Sequence, residues 1–307
     1  MMHLMHAVAL IGLLVALVSA PASAQPALPR DRDAWIALAK SGFRLPADQR
    51  ASEVLLAMNP LLASTDPVLR DDVAYTAAER WILRDKVVRA AALRTLMAQW
   101  TSNLDNGLGQ SGDDRVFGRS FSALCLSVIA AADLSAPFLE PLEVEQLFAR
   151  LLEYFARETD LRGFDPVHGW MHTVAHTSDA LKFLARNPKL ASGVDRRVLA
   201  AVRAKIEAAD SVFAWGENDR MALALQSAVR RPDADAAAFE AWTAQWVEAH
   251  KALWAKGPHV NARQFAAVEN AKQVMRSLHS ALSMEAAPTP SGTAAAKTVL
   301  AALAKMR

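Results

Sequence analysis

The amino-acid sequence predicts an all-α fold of stacked antiparallel helix pairs, either a HEAT-like solenoid or an α/α superhelix, with about a dozen helices. Apolar residues recur in long segments with the period of an α-helix. No segment alternates convincingly between apolar and polar residues as a half-buried strand does, and no Asn-Gly hairpin joins two β-branched runs. Strongly apolar segments alternate with amphipathic ones, which indicates helices stacked in layers.

The helical pattern begins after Asp66, which has the position of an N-cap, with Pro67 in the first helical position. The same period continues along the chain. It marks the segments 85–104, 142–157, 198–209, 236–256 and 261–282. The pair Asn106-Gly107 follows the first of these segments and predicts a helix stop.

Two kinds of helix alternate in this pattern. The segment 116–132 contains a single charged residue, Arg119, and the segment 170–185 contains only Asp179 and Lys182. A helix that is apolar on all sides is buried on all sides, whereas the amphipathic segments need only one covered face. The alternation therefore predicts a buried inner row of helices and a half-exposed outer row.

Charged and polar residues recur at nearly regular distances along the apolar helices. Asp72, Arg119, His172 and Asp219 are separated by 47, 53 and 47 residues, and each lies near the start of a predicted helix. A helix pair of about 40–50 residues is the length of one helical repeat. The spacing predicts that stacking brings the same end of successive inner helices together, where these residues could share one site.

The first 24 residues predict a secretory signal peptide. They contain no Asp, Glu, Lys or Arg, and an apolar core from Ala7 to Val18 leads to Ala22-Ser23-Ala24, a small-x-small cleavage motif before Gln25. The alternative is a membrane anchor, but the apolar run is short for a bilayer span. We expect a periplasmic or secreted protein that has no stable membrane span after cleavage.

Composition and charge restrict the domain organisation, the possible partners and the role of the single cysteine. The residues 25–284 are expected to form one helical domain, and the residues 285–307 a flexible linker with a short C-terminal helix. A net charge of +2 without a Lys/Arg-rich run argues against a nucleic-acid partner. The single cysteine, Cys125, cannot form an internal disulfide, and its apolar surroundings indicate a buried core residue rather than a nucleophile.

The most informative segment is HGWMHTVAHTSDAL, residues 168–181, which contains three of the eight histidines. His172, His176 and Asp179 fall on one face of a predicted helix, and Phe183 lies on the same face. An aromatic neighbour favours a face towards a protein-walled groove over one exposed to water. The spacing fits a metal pair, an acid–base pair or an ordinary polar helix face.

A divalent metal such as zinc is the one cofactor that this segment suggests. His172 and His176 have the His-x-x-x-His spacing, but the segment lacks the Glu of the His-Glu-x-x-His pattern. Asp179 lies about 10 Å along the helix axis from His172 and is better placed to orient His176. Further ligands would have to come from elsewhere. The candidates are His168, Asp72 and Glu217.

Arg119 is the second candidate, because a guanidinium in so apolar a helix must be paired. Its partner is either structural or the carboxylate or phosphate of a ligand, since arginine binds such anions with two parallel hydrogen bonds. The candidate structural partners are Asp71, Asp72, Glu217 and Asp219. These acids could also be simple helix N-terminal charges that complement the macrodipole.

Four blocks resemble, in order, an uncharacterised bacterial family, domain-of-unknown-function family 2785. The blocks are LRDDVAY (69–75), VFGRSFSALCL (116–126), LRGFDPVHGWMHTVAHTSDAL (161–181) and WGENDR (215–220). The resemblance extends over residues 50–255. It implies one predominantly helical domain and no particular reaction.

Three hypotheses of function follow. The first is a helical-repeat protein that binds a small anionic or peptide ligand in a groove lined by His172, His176, Asp179 and Arg119. Further lining residues would be Asp72, His168, Trp170, Glu217 and Asp219. The second is a hydrolase or lyase of envelope carbohydrate or peptide, in which His172, His176 and Asp179 act as acid and base or hold a metal. The third is a structural envelope protein.

Overall fold

The computed structural model describes residues 31–255, 257 and 259–307, and most of these residues are helical. The predicted signal peptide lies outside the described residues. The helices are α1 (Arg32–Lys40), α2 (Ala51–Met58), α3 (Thr76–Glu79), α4 (Ala90–Asn103), α5 (Arg115–Ser135), α6 (Pro141–Arg157), α7 (Thr173–Ala185), α8 (Val194–Ala208), α9 (Glu217–Val229), α10 (Ala236–Trp254), α11 (Ala262–Ser283) and α12 (Pro290–Ala304). The all-α fold class is confirmed.

The later helices form two layers. In the inner layer, α5 contacts α7, α7 contacts α9 and α9 contacts α11. The outer helices α6, α8, α10 and α12 pack behind them. Hydrogen bonds show that inner neighbours run in the same direction, because Ser120 bonds His176 near the starts of α5 and α7, and Asp133 bonds Asn187 at their other ends. Each inner–outer pair is therefore an antiparallel hairpin, as the sequence predicts.

Burial follows the predicted alternation of helix types. Every residue of α5 from Val116 to Ala130 is buried, and so is most of α7. In α6, by contrast, one apolar stripe is buried and the opposite face carries exposed charges. Of the described helices, α5 alone is long and apolar enough to cross a membrane, but most of its apolar length is enclosed by the other helices, as in the core of a soluble protein.

The chain before α4 is less regular than its sequence suggests. Asp66 caps the expected helix start, since its Oδ1 accepts the Val68 amide at 2.9 Å. A 3₁₀ segment, Asn59–Ala63, precedes it, and the helix that follows is widened into two π-helical stretches, Val68–Tyr75 and Arg80–Arg84, on either side of α3. π-Turns are rare and occur often at functional sites.

A short hairpin interrupts the helices between α6 and α7. Strand β1 (Phe164–Asp165) pairs antiparallel with β2 (Gly169–Trp170), with Phe164 opposite Trp170. The sequence signals no strand here. Asp165 stabilises the turn, because its Oδ1 accepts the amides of Val167 and His168. Trp170 consequently lies in β2, and the expectation that the helical segment 170–185 begins with it is wrong.

The last helix shares the common core. α12 packs against α10 and α11, and its Val299 is buried, as is Met306 beyond it. The division into a domain over 25–284 and a C-terminal segment over 285–307 stays a prediction.

A buried ion pair joins the two layers. The Arg119 side chain is completely buried in α5, and its guanidinium donates to both carboxylate oxygens of Glu158, from Nε at 2.6 Å and from a terminal nitrogen at 3.1 Å. The other donors of Arg119 reach the carbonyl oxygens of Asn106 and Gln110. A buried partner for Arg119 is thus present, but the expectation of Asp71, Asp72, Glu217 or Asp219 is wrong.

The surroundings satisfy the remaining polar atoms of Glu158. The hydroxyl of Tyr154 and the amide of Asp160 donate to its carboxylate, and the buried Lys205 ammonium from α8 donates to its backbone carbonyl at 2.7 Å. Burial lowers the pKa of Lys205 to about 8. The ion pair therefore links α5, the end of α6 and α8.

Breaking this pair should destabilise the fold strongly. We expect Arg119→Leu to lower the free energy of unfolding by about 3–5 kcal/mol, because it leaves the Glu158 carboxylate buried and unpaired. The matched control is Arg157→Leu, which removes an exposed, solvent-screened pair with Glu153 and should cost far less. The measurement is urea denaturation at pH 7. Equal, small losses in the two variants would contradict this role, and the double variant Arg119→Leu/Glu158→Leu should lose less than Arg119→Leu alone.

Candidate functional site

The candidate site lies where α7 and α9 begin, beside the β-hairpin and the start of α5. We call it the histidine site, defined by His172, His176, Ser120, Trp170 and Trp215. The site is tied to the buried ion pair through Asp160, which lies two residues after Glu158. Thr173 Oγ1 donates to the Asp160 carbonyl at 2.6 Å, and this bond fixes the start of α7.

His172 precedes α7 as its N-cap residue and has a left-handed backbone, with φ at 51°. This conformation is uncommon for a residue other than glycine and is found preferentially where the surrounding structure enforces it, as at active sites. The ring stacks on Trp170 at a centroid distance of 4.3 Å. Its Nε2 lies 2.7 Å from the Trp215 carbonyl oxygen. Since a carbonyl only accepts, Nε2 carries the proton and Nδ1 is the basic nitrogen of the neutral ring.

His176, one turn into α7, is held by a different group. Its Nδ1 lies 2.8 Å from Ser120 Oγ, and that hydroxyl donates its only proton to the Met171 carbonyl. Nδ1 must therefore carry a proton and donate to Ser120. The basic Nε2 has no hydrogen-bond partner among the described residues. The ring is 7% exposed as a residue and meets the His172 ring edge to face at 5.6 Å.

Both imidazoles are disposed to remain neutral. Burial is the largest cause that lowers the pKa of His172. The pKa of His176 is held well below its ordinary value, first by burial and then by the nearby His172 and Arg220. A neighbouring carboxylate raises a histidine pKa and burial lowers it, and burial prevails at both residues.

Asp179 does not orient His176, contrary to the sequence expectation. Its two carboxylate oxygens accept from Lys182 at 2.9 Å and from Arg220 at 2.6 Å. Arg220 belongs to the first turn of α9, and its side chain is 48% exposed. Asp179 thus joins α7 to α9, and it fixes a guanidinium beside the histidines.

Arg70 is a buried residue of the site region that sequence reasoning missed. It lies in the first π-helical stretch, where its terminal nitrogens donate to the carbonyls of Ser64 and His168 and to the Asp71 carboxylate. Its guanidinium covers the Phe121 ring at 4.7 Å, and the same ring contacts His176 at 4.8 Å. The block LRDDVAY contained this signal, since an arginine precedes the two acids that drew attention.

Asp71 is linked to His176 through a series of contacts by way of Arg70 and Phe121. Burial raises the pKa of its carboxyl to about 6, although Arg70 opposes the shift. A carboxyl group in this range is half protonated in mildly acidic solution and can therefore give a proton as well as accept one.

Three aromatic residues form a surface beside the histidines, which we call the aromatic shelf: Phe164, Trp170 and Trp215. Phe164 lies 4.7 Å from Trp170 and 5.3 Å from Trp215 between ring centroids. Trp170 is 38% exposed and Trp215 is 48% exposed. Grouped indole rings that stay in water are unusual unless they serve recognition.

A cavity of about 270 Å³ opens beside the shelf, between the segments 161–165 and 211–217. Phe164 and Trp215 line it together with Glu217, a residue that is only 2% exposed. One oxygen of Glu217, Oε2, accepts the Trp215 amide at 2.8 Å. The cavity thus shares Trp215 with the histidine site.

Comparison with protein families places the chain. A family model described as a protein of unknown function, DUF2785, matches residues 104–279, which is more than half of the chain. The chain belongs to the DUF2785 family. The match covers both histidines, the hairpin and Arg220, but Arg70 and Asp71 lie before it. No curated protein and no solved structure matches the chain.

The other predicted site residues of this DUF2785 chain lie near helix starts but outside the histidine site. Asp72 is exposed on the first π-helical stretch, and Asp219 accepts a hydrogen bond from Ser277 of α11. The His168 ring bonds Asp165 in the hairpin turn. Arg119 binds Glu158, as described above. The structure therefore brings together His172, His176, Trp170 and Glu217, with Asp179 beside them, while the Arg119 side chain is taken up by Glu158.

The expected zinc ligands do not assemble. Across residues 31–255, 257 and 259–307, no three His, Cys, Asp or Glu side chains are grouped closely enough to hold a metal ion. Cys125 is fully buried in the core, and burial raises the pKa of its thiol.

The two tautomers can be tested directly. We expect long-range ¹H–¹⁵N NMR on histidine-labelled protein at pH 7 to show a neutral His172 protonated at Nε2 and a neutral His176 protonated at Nδ1. His176 should titrate below the pKa of free histidine, about 6.5. Ser120→Ala should release the tautomer of His176 and leave that of His172 unchanged. A midpoint for His176 at or above the free value would refute the assignment.

This pKa shift also makes stability depend on pH. Because His176 of the unfolded chain binds a proton below about pH 6.5 while folded His176 does not, the contribution of His176 to the free energy of unfolding should fall as the pH is lowered from 7.5 to 5.5, whereas Asp71, whose pKa is raised, contributes in the opposite direction. The His176→Asn variant should lose part of this dependence. Urea denaturation at the two pH values measures the difference, and an unchanged slope in the variant would contradict the prediction.

Proposed function

We propose that this DUF2785 chain is an acid–base enzyme, a hydrolase or lyase, that acts at the histidine site. The observation that supports this proposal is the pair of imidazoles, each with one nitrogen fixed by a hydrogen bond and the other left without a partner among the described residues. A histidine in this state is a preformed base. A purely structural role would not require two histidines, a strained backbone and two exposed indoles in one place.

The proton donor in this proposal is Asp71. Arg70 connects it to the histidines, because the same guanidinium that bonds Asp71 packs on the Phe121 ring that His176 contacts. The carboxyl pKa of about 6 suits Asp71 to the role of acid, and the lowered histidine pKa values suit the imidazoles to the role of base. In hydrolysis, an imidazole takes a proton from the attacking water, and Asp71 gives one to the leaving atom, so that one water is added across the bond.

The second candidate function is non-catalytic binding of a small anionic or peptide ligand in the same groove. Arg119 no longer supports it, since all three of its guanidinium nitrogens donate within the protein and the residue is fully buried. Arg220 does, because only one of its nitrogens is bonded to Asp179 and its side chain is half exposed. The two functions can be distinguished because only an enzyme converts its ligand into products.

The predicted signal peptide supports a substrate in the periplasm or outside the cell. Intact-mass measurement of protein from the native envelope should give a chain that starts at Gln25. A membrane-bound product that retains Met1 would rule out cleavage.

Activity should depend on both imidazoles and on Asp71. We expect mature protein incubated with a panel of envelope glycans and peptides to release products detectable by mass spectrometry. His172→Ala, His176→Ala and Asp71→Asn should each lower kcat/KM by about 100-fold or more, because each removes a proton-transfer group. His279→Ala is the control, since this half-buried histidine lies on α11 outside the site. Equal activity in all variants would contradict the proposal.

The pH profile provides a second readout. The value of kcat/KM should fall as the pH rises above about 6, because ionised Asp71 has no proton to give. On the acid side it should fall as the imidazoles take up protons, at a pH below that of free histidine. The charged groups that act on these residues are Arg70, Arg220, Asp179 and Glu217. Metal analysis of the active protein separates this mechanism from metal-assisted hydrolysis.

A further inference from the structure

We infer that the cavity beside the aromatic shelf is a subsite for one sugar ring of an uncharged glycan. This inference deepens the proposed function, since it names the substrate class of the same site. The cavity shares Trp215 with the histidine site, where the backbone carbonyl of Trp215 accepts from His172 and the indole lines the cavity. A glycan seated in the cavity can therefore extend over Trp170 towards the imidazoles.

The aromatic residues fit the apolar side of a sugar. Phe164 and Trp215 line the cavity at a centroid distance of 5.3 Å, and Trp170 continues the surface outside it. The C–H groups on one face of a pyranose pack well on an indole or phenyl ring, while its hydroxyl groups point outward to polar partners. Rings that are held rigidly and stay half exposed bind such a face with little loss of side-chain entropy.

Glu217 supplies the polar partner, and its burial points to a ligand independently of the aromatic shelf. The residue is 2% exposed, yet its Oε1 accepts no hydrogen bond from any described residue. This oxygen faces the cavity and keeps some contact with its solvent, so a ligand hydroxyl that enters the cavity can donate to it in place of water. A sugar hydroxyl is a donor of the right kind, because it gives a hydrogen bond without bringing a charge.

The charges around the cavity favour a neutral ligand over an anion. Glu217 and Asp165 both line it, and Asp165 also has one oxygen, Oδ2, without a partner among the described residues. The one cationic side chain in the lining, Arg162, is already bound to the Asp160 carboxylate and the Asp113 carbonyl. An anionic group would meet two carboxylates in the cavity, and the guanidinium there is already paired with the Asp160 carboxylate.

Gly163 also lines the cavity, where the space beside its Cα is occupied by Trp215 and Glu217. A Cβ atom at this position would lie 2.3 Å from Trp215 Cδ1 and 2.5 Å from Glu217 Oε1, which is too close for either. The absence of a side chain therefore lets the indole and the carboxylate reach their present positions.

Binding can be tested without turnover. The experiment is isothermal titration of mature His176→Ala protein with neutral oligosaccharides, namely cello-, xylo-, chito- and malto-hexaose, and with uronate oligomers and peptides as comparison ligands. We expect at least one neutral oligosaccharide to bind. Trp215→Ala and Glu217→Gln should each weaken that binding by about tenfold or more. The control is Trp254→Ala, which removes an indole of similar exposure from α10, away from the site. Circular dichroism confirms that each variant is folded.

The outcomes separate this inference from the proposed function. Oligosaccharide binding that Trp215→Ala and Glu217→Gln weaken and Trp254→Ala does not supports the subsite, even if the wild-type protein never cleaves the glycan. Three results would overturn it. They are binding of uronate oligomers or peptides alone, no binding of any neutral oligosaccharide, and an equal loss of affinity in the Trp254→Ala variant. Cleavage of a peptide substrate that depends on His172 and His176 would keep the proposed function and reject the glycan.

Discussion

The burial of one charged side chain constrains much of this molecule. Arg119 is surrounded by an apolar helix, and a guanidinium there can exist only with a complete set of acceptors. Glu158, at the end of α6, provides two of them, and its own backbone carbonyl accepts a hydrogen bond from the Lys205 ammonium. Three helices from both layers therefore have to meet at this point. The segment after Glu158 leads through Asp160 to the start of α7. The same ion pair therefore also helps to fix the position of His172 and His176 at that helix start.

The site depends on that position through a series of small, specific contacts. Thr173 bonds the Asp160 carbonyl, Met171 receives the Ser120 hydroxyl, and Ser120 in turn fixes His176. The hairpin places Trp170 beneath His172 and Phe164 beside Trp215. Few of these contacts involve charge. The result is a pair of neutral rings whose protons are assigned by carbonyl and hydroxyl partners, and this property would be lost if a carboxylate stood in place of Ser120 or the Trp215 carbonyl.

The sequence predicts the layers of this fold better than its contacts. Periodicity depends on neighbours three and four residues apart, so the buried α5 and α7 and the amphipathic α6 are correctly predicted. Arg119 is correctly expected to be paired, but its partner Glu158 lies 39 residues away, where only the packing decides. Asp179 is expected to orient His176 and instead pairs with Arg220, 41 residues away. His172 was placed within the helix because spacing alone cannot show that the hairpin turns the chain at Gly169 and leaves His172 as the N-cap. The π-helical stretches gave no signal, since they differ from α-helices in hydrogen bonding and not in residue type.

The parallel course of the inner helices has an electrostatic consequence for this edge of the protein. α5, α7 and α9 all begin here, and the free amide groups of a helix start carry a partial positive charge equivalent to about half a proton charge each. The three starts lie on the same edge of the inner layer, as the bonds from Ser120 to His176 and from Arg220 to Asp179 show. Their field disfavours a second positive charge, which agrees with imidazoles that stay unprotonated, and it favours negative charge. In the hydrolysis proposed above, an oxygen atom that gains electron density would meet that field already in place, without any side chain having to move.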